Sequence, residues 1–180
     1  MNANKAVFLD RDGVINRPII VDGKPYPPRT IAEFAILPGV EQACVDLQNA
    51  GYLLVVVTNQ PDVGRGILKK EVAEAIHETM VRQLPIDRVE VCYHAGDEFG
   101  EECECRKPKP GMLLRASAQH GIDLQRSFLI GDRWRDIDCA HAAGCRAVFI
   151  DHGYSEPLRE TPDFTVSTFR EAVATVLQNH

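Results

Sequence analysis

The 180-residue sequence has no long apolar run, and its longest purely apolar stretch lies near Leu53–Val57. Because a membrane-spanning helix needs about 20 such residues, we expect no membrane segment. The opening residues Met1–Lys5 lead directly into a strand-like segment, so we expect neither a signal peptide nor an anchor. Internal repeats, low-complexity tracts and dividing linkers are also missing. These absences predict a single domain over residues 1–180.

An excess of positive charge is missing as well. Against 26 Asp and Glu there are only 20 Lys and Arg, which gives a formal net charge of -6. This balance disfavours a broad grip on nucleic acid or on an anionic membrane, and we expect neither as a partner. Six cysteines are present, but a chain of this length does not need disulfides to fold. We therefore expect a monomeric protein of the reducing cytoplasm.

Short apolar runs alternate with helical patterns along the chain. Five runs are predicted to be buried strands, namely Ala6–Leu9, Tyr52–Val57, Val89–Tyr93, Ser127–Ile130 and Ala147–Ile150. Apolar residues at helical spacing predict helices over Val40–Leu47, Val72–Leu84, Met112–His120 and Asp136–Ala143. Such alternation predicts the α/β class, with a doubly wound, mostly parallel sheet, helices on both faces and no large cap domain. The proline-rich segment Asn16–Leu37 is predicted to be an ordered loop that affects specificity.

Polar side chains stand where three of the predicted strands end: Asp10 and Asp12 after the first, Thr58 and Asn59 after the second, and Asp132 and Asp136 after the fourth. A basic pair, Arg106-Lys107, stands immediately before a predicted helix. Each group alone is also typical of a turn, a helix cap or a solvated surface. In a parallel sheet, however, ligands bind at the carboxyl ends of the strands. The sequence therefore predicts a site at this edge.

The order of these groups resembles a known set of motifs. Asp10-x-Asp12, Thr58-Asn59, Lys107-Pro108 and Gly131-Asp132-x-x-x-Asp136 resemble the four motifs of the haloacid dehalogenase-like superfamily of phosphatases. The resemblance implies hydrolysis of a phosphomonoester through an aspartyl phosphate. It implies that Asp10 is the nucleophile and that Asp12 is the general acid and base.

The same resemblance implies a cofactor. Mg²⁺ would be held by the side chains of Asp10 and Asp132 and by the backbone carbonyl of Asp12, while Asp136 orients its neighbours. Thr58 and Lys107 would hold the oxygens of the transferring phosphoryl group.

A second cluster is Cys92-x-His94 followed by Cys103-x-Cys105. Three thiolates and one imidazole match a closed, tetrahedral structural zinc site, although a loop that merely contains thiols is the alternative. The cluster leads directly into Arg106 and Lys107. This arrangement resembles the small, capless branch that contains D-glycero-D-manno-heptose 1,7-bisphosphate phosphatases and histidinol phosphate phosphatases.

The branch implies a small sugar phosphate as substrate and, in its sharpest form, removal of the 7-phosphate of the heptose bisphosphate. Asn59, Gln60, Arg106 and Arg133 are the expected substrate-binding residues, although both arginines could be surface charge. A histidinol phosphate phosphatase and a non-enzymatic phospho-receiver or binding module remain as alternatives. Pro61 departs from the pattern of the heptose enzymes because it lacks a backbone donor, which leaves the exact sugar open.

Overall fold

The computed structural model describes residues 3–21 and 24–179. Its strands are β1 Lys5–Leu9, β2 Ile19–Val21, β3 Lys24–Tyr26, β4 Tyr52–Asn59, β5 Arg88–Cys92, β6 Phe128–Gly131, β7 Arg146–Ile150 and β8 Phe164–Val166. Its α-helices are α1 Val40–Asn49, α2 Pro61–Gly64, α3 Lys70–Gln83, α4 Gly111–His120, α5 Trp134–Ala143 and α6 Phe169–Gln178.

Six of the strands form one parallel sheet in the order β5-β4-β1-β6-β7-β8. From β1 the chain moves to one side through β4 and β5, and then returns to build the other side with β6, β7 and β8. The predicted doubly wound α/β fold is confirmed. The direction in which successive strands are added to the sheet reverses between β1 and β6, and such a switch point is where open parallel sheets bind ligands.

The sheet separates two apolar layers, as the alternation along β1 illustrates. Val7 and Leu9 pack in the layer that contains α1 and α6, whereas Ala6 and Phe8 pack in the layer that contains α4 and α5. All four side chains are fully buried. Full burial of a side chain such as Phe8 contributes about 1.5–3 kcal/mol to folding, so β1 is fixed firmly beneath the residues that follow it.

The structure adds elements that the sequence pattern did not predict. Within Asn16–Leu37, expected to be an ordered loop, β2 and β3 form an antiparallel hairpin in which Ile20 lies opposite Pro25. Proline is tolerated there because a two-stranded ribbon has outer edges that need no donor. Strand β8 has only three residues, too few for a clear alternation signal. Pro61, noted above as a departure, is the first residue of the short helix α2, where its missing N–H is not needed.

Among the described residues, no helix is both long and apolar enough to cross a membrane.

Candidate active site

A cleft of about 360 Å³ opens at the carboxyl ends of β1, β4 and β6. Of the predicted site residues, those that line it are Asp10, Asp12, Thr58, Asn59, Arg106, Lys107, Asp132 and Arg133. The structure thus brings together residues that are up to 123 positions apart in the sequence, from 10 to 133. Pro18, which precedes β2, and Pro25 and Tyr26 of β3 also line the cleft. Gln60, which was expected to bind substrate, is instead fully buried outside this lining.

Lys107 is the buried cation at the centre of the site. Its Nζ lies 3.0 Å from Asp10 Oδ1 and 2.6 Å from Asp136 Oδ1, and it donates to the carbonyl of Val57 at 2.8 Å. Burial alone would lower the pKa of Lys107, but Asp10 and Asp136 more than offset burial and raise it above the usual value. The ammonium therefore stays protonated and aimed at Asp10.

The backbone of Lys107 is held by Asn59. The side-chain oxygen of Asn59 accepts from the N–H of Lys107 at 3.0 Å, and its side-chain nitrogen donates to the carbonyl of Lys107 at 3.0 Å. Two bonds to one residue fix both its position and its orientation. Asn59 thus joins the end of β4 to the segment that carries Lys107.

Replacement of this cation should damage both stability and turnover. In Lys107→Met, Asp10 and Asp136 lose their shared partner, and a buried charge without its partner costs about 3–5 kcal/mol. We expect a correspondingly lower free energy of unfolding in a denaturant titration, together with loss of the phosphatase activity that the motifs imply. Lys109→Met is the matched control, because Lys109 is partly exposed and its Nζ lies 3.4 Å from Glu104. Equal stability of the two variants would contradict the central role of Lys107.

Three carboxylates, those of Asp10, Asp132 and Asp136, offer oxygens within 4.8 Å of one another. Burial raises the pKa of Asp10 to about 6, against the opposing effect of Lys107, and burial followed by Asp10 and Asp136 raises that of Asp132 well above its usual value. Since three carboxylates face one buried ammonium, the cluster also carries more negative charge than Lys107 alone offsets.

One oxygen of this cluster has no partner. Asp132 Oδ1 is buried and accepts no hydrogen bond within the described chain. Gly13 leaves room beside the same carboxylate, since a Cβ at this position would lie 2.0 Å from Asp132 Oδ2, and its φ of +88° favours glycine. Hard oxygen donors with an unpaired carboxylate oxygen fit Mg²⁺. Asp136 fits it less well, because its oxygens already accept from Lys107 and from the backbone N–H of Arg133.

Asp12 is surrounded by donors. Its Oδ1 accepts from the side chains of Asn16 at 3.0 Å and Arg11 at 3.0 and 3.2 Å. Its Oδ2 accepts from Arg11 and Gln60, each at 2.9 Å, and Gln60 Nε2 also lies 2.9 Å from Thr58 Oγ1. Neither Arg11 nor Asn16 was among the predicted site residues. The position of Arg11 between two motif aspartates was an available signal, but arginines are usually exposed.

Cationic side chains flank the mouth of the cleft. Arg106 Nη1 is buried and has no hydrogen-bond partner among the described residues. Arg133 forms a two-point ion pair with Glu156, through Nε to Oε2 and through Nη2 to Oε1 at 2.8 Å. Arg65 lies 2.6 Å from Glu98. Glu156 was not predicted, and its place in the loop that follows β7, at the same edge of the sheet, was the signal that could have indicated it.

The four predicted zinc ligands converge. The sulfurs of Cys92 and Cys103 lie 3.7 Å apart, and His94 Nδ1 lies 3.5 Å from Cys92 Sγ and 3.2 Å from Cys105 Sγ. Zn–S bonds of about 2.3 Å in a tetrahedron place two sulfurs about 3.8 Å apart, so the spacing fits this ion. The cluster lies one residue before Arg106 and two before Lys107.

Comparisons with known proteins agree with this geometry. Residues 104–172 match a family described as HAD-hydrolase-like. The chain is 39% identical over 147 residues to the D-glycero-beta-D-manno-heptose-1,7-bisphosphate 7-phosphatase of Yersinia pestis, covering 77% of this chain and 75% of that protein. It is 40% identical over 147 residues to the enzyme of the same name from Photorhabdus laumondii, with the same coverage of both chains.

A solved structure is also similar. It is the D,D-heptose 1,7-bisphosphate phosphatase of B. bronchiseptica, complexed with magnesium and phosphate. The match has a TM-score of 0.83 and 30% identity, and it covers 98% of this chain and 99% of that one. With this fold, these motifs in one cleft and relatives at this identity, the chain belongs to the haloacid dehalogenase-like phosphatases, in the family of the heptose 1,7-bisphosphate 7-phosphatases.

Proposed function

We propose that this phosphatase uses Mg²⁺ to remove the 7-phosphate of D-glycero-beta-D-manno-heptose 1,7-bisphosphate. The observation that carries the proposal is the meeting of Asp10, Asp12, Lys107 and Asp132 in one cleft. The names of the relatives supply the sugar and the anomer. The net charge of -6 favours a small substrate over nucleic acid, and free cysteines suit a reducing cytoplasm.

The proposed reaction has two displacements at phosphorus. Asp10 attacks the 7-phosphoryl group, the bond from phosphorus to the sugar oxygen breaks, and Asp12 gives that oxygen a proton. Water then attacks the aspartyl phosphate, Asp12 takes a proton from that water, and Asp10 leaves as a carboxylate. Phosphate and the heptose 1-phosphate are the products, and Asp12 ends in its starting protonation state.

The remaining residues of the cleft would hold the phosphoryl oxygens and the metal ion. We assign Thr58 and Lys107 to the non-bridging phosphoryl oxygens, because both line the cleft and Lys107 already points at Asp10. When bound, Mg²⁺ would neutralise charge between the phosphate and the carboxylates, and Asp10, Asp132 and the carbonyl of Asp12 would hold it. Asp136 keeps Lys107 in place through their 2.6 Å ion pair.

A second phosphate on the substrate needs a second cation. Arg106 is the candidate because its side chain lines the cleft and its buried Nη1 has no hydrogen-bond partner in the described part of the chain. A bidentate guanidinium is well suited to a phosphate. We assign Arg133 to substrate binding as well. Asn59 contributes indirectly, because its side chain holds the backbone of Lys107. Gln60 acts through Asp12 rather than by direct contact.

We also propose that Cys92, His94, Cys103 and Cys105 bind a structural zinc ion. All four donors are used within the cluster, which leaves no open position for chemistry. The ion would brace the segment that carries Arg106 and Lys107.

The substrate is tested by measuring phosphate release with Mg²⁺ across a panel. The panel contains both anomers of the heptose bisphosphate, histidinol phosphate and common sugar phosphates. We expect the beta anomer to give the highest kcat/KM, with one phosphate released per molecule and the 1-phosphate retained. A preference for histidinol phosphate would instead identify the alternative substrate. Release of the 1-phosphate would contradict the proposal.

A further inference from the structure

The largest of the fully buried side chains is a charged one, that of Arg11. Its guanidinium uses all three of its nitrogens. Nε and Nη2 point at the carboxylate of Asp12, at distances between 2.9 and 3.2 Å, whereas Nη1 lies 2.8 Å from Nε2 of His77. His77 lies on α3, far from any of the four motifs in sequence, and is 7% exposed. The three side chains form a row from α3 to the cleft.

The contact between Arg11 and His77 determines which ring nitrogen of His77 carries the proton. Arginine only donates hydrogen bonds, so Nε2 of His77 accepts and the ring proton lies on Nδ1. Burial, reinforced by Arg11, lowers the pKa of His77 to about 4, and the ring is therefore neutral at neutral pH. A neutral, oriented imidazole is the acceptor that Nη1 requires. An apolar residue at this position would leave that donor buried without a partner.

A wholly structural explanation is weak on energetic grounds. Taking an arginine charge out of water is costly, and apolar residues of similar volume often stabilise a protein as well or better than a buried ion pair. The ion pair instead fixes the orientation of the Asp12 carboxylate. With Nη1 bound to His77, the guanidinium cannot turn, and its two remaining nitrogens hold Asp12 in one orientation at the edge of the cleft.

We propose that His77 is a positioning residue, which acts through Arg11 to hold Asp12 where it exchanges protons with the sugar oxygen and with water. The inference rests on the proposed function, since it assumes that Asp12 is the general acid and base. It adds a residue outside the motifs to that function.

The test compares a substrate whose leaving group needs a proton with one whose leaving group does not. A sugar alkoxide needs one when the phosphorus–oxygen bond breaks, whereas p-nitrophenolate leaves without one. The parameter kcat/KM reports only the steps up to this cleavage. In His77→Phe we expect kcat/KM for the heptose bisphosphate to fall by about 10–100-fold, part of the 10²–10⁴-fold that acid–base catalysis supplies. For p-nitrophenyl phosphate it should change little.

Two variants serve as controls. His77→Gln places an amide oxygen about where Nε2 lies and should restore most of the activity on the heptose. Ile76→Val, at the neighbouring and fully buried position on α3, removes one methyl group but no hydrogen-bonding atom, and it should affect both substrates equally. If His77→Phe does not fold, Arg11→Lys replaces it: lysine has no fork to bridge His77 and Asp12, so the same selective loss is expected.

Each outcome decides the question. A selective loss on the heptose, with rescue by glutamine, supports the positioning role. Equal loss on both substrates, or no loss on the heptose, overturns it while the proposed function stands. If the wild-type protein hydrolyses neither compound, the proposed function fails and the inference fails with it.

Discussion

Asp10→Asn is expected to lower the turnover of the heptose bisphosphate by roughly 10⁴–10⁶-fold, the scale seen when a covalent nucleophile is removed. The amide has the shape of the carboxylate but not its nucleophilicity, so no aspartyl phosphate forms. The measurement is phosphate release with saturating Mg²⁺ over hours.

The same variant should remain folded. Lys107 keeps its contacts with Asp136 and the carbonyl of Val57. The pKa of Asp10 is raised from 3.8 to about 6, so its charged form is disfavoured in the folded protein. Stability therefore falls as the pH rises between these two values, and the full penalty applies at neutral pH. A neutral Asn removes this penalty, and we expect a melting temperature at neutral pH no lower than that of the wild type.

The control for charge removal is Asp46→Asn. Asp46 is exposed on α1, where its Oδ1 accepts from Gln42 at 2.9 Å, and its replacement should leave activity unchanged. Substantial residual turnover in Asp10→Asn, with the folding midpoint preserved, would refute Asp10 as the nucleophile.

The second large effect is expected from Cys103→Ser. Serine is a poor zinc ligand, so we expect the purified variant to contain much less than one zinc per chain, as measured by elemental analysis. Metal binding and folding are coupled in such sites. We expect a loss of about 2–5 kcal/mol in unfolding free energy, the range for removing a native cross-link. Each kcal/mol lowers the melting temperature of a chain this long by about 2–4 °C.

Activity of Cys103→Ser should fall even with Mg²⁺ in excess, because the loop carrying Arg106 and Lys107 loses its brace. Cys145→Ala is the matched control: Cys145 is a buried free thiol outside the cluster, so this variant should keep its zinc. A wild-type protein that holds no zinc when purified without chelators, or a Cys103→Ser variant with full activity, would contradict the proposal.

The parallel sheet was predictable because its strands are short apolar runs bounded by turns, as in Ala6–Leu9, and this pattern depends on local sequence alone. The hairpin of β2 and β3 was not predictable. Pro25 argues against a strand, and the residues of β2 that pair with β3 are partly or largely exposed. Likewise β8 has three residues and depends on its pairing with β7. In both cases tertiary contacts, which a local pattern does not contain, decide the structure.

At the site, the residues of the four motifs were predicted, whereas Arg11 and His77, which act through a neighbouring side chain, were not. Asp10 and Lys107 belong to recognisable motifs. His77 looks like one more residue on the buried face of α3, and only the 2.8 Å contact with Arg11 distinguishes it. Gln60 was expected at the substrate from the resemblance to the heptose enzymes, but in the structure it donates to Asp12.

The cysteine cluster also separates two parts of the chain that reach the cleft, the exposed loop before Cys103 and the segment that carries Lys107. On one side, Lys107 is fixed by Asn59 and by its distance of two residues from Cys105. On the other side, the segment between His94 and Cys103 is largely exposed and reaches the mouth of the cleft through Glu98. Insertions and deletions in that segment would end at the cluster and leave Lys107 undisturbed. The exposed loop therefore shapes the mouth of the cleft through Glu98, whereas the position of Lys107 beside Asp10 is set on the other side of the cluster.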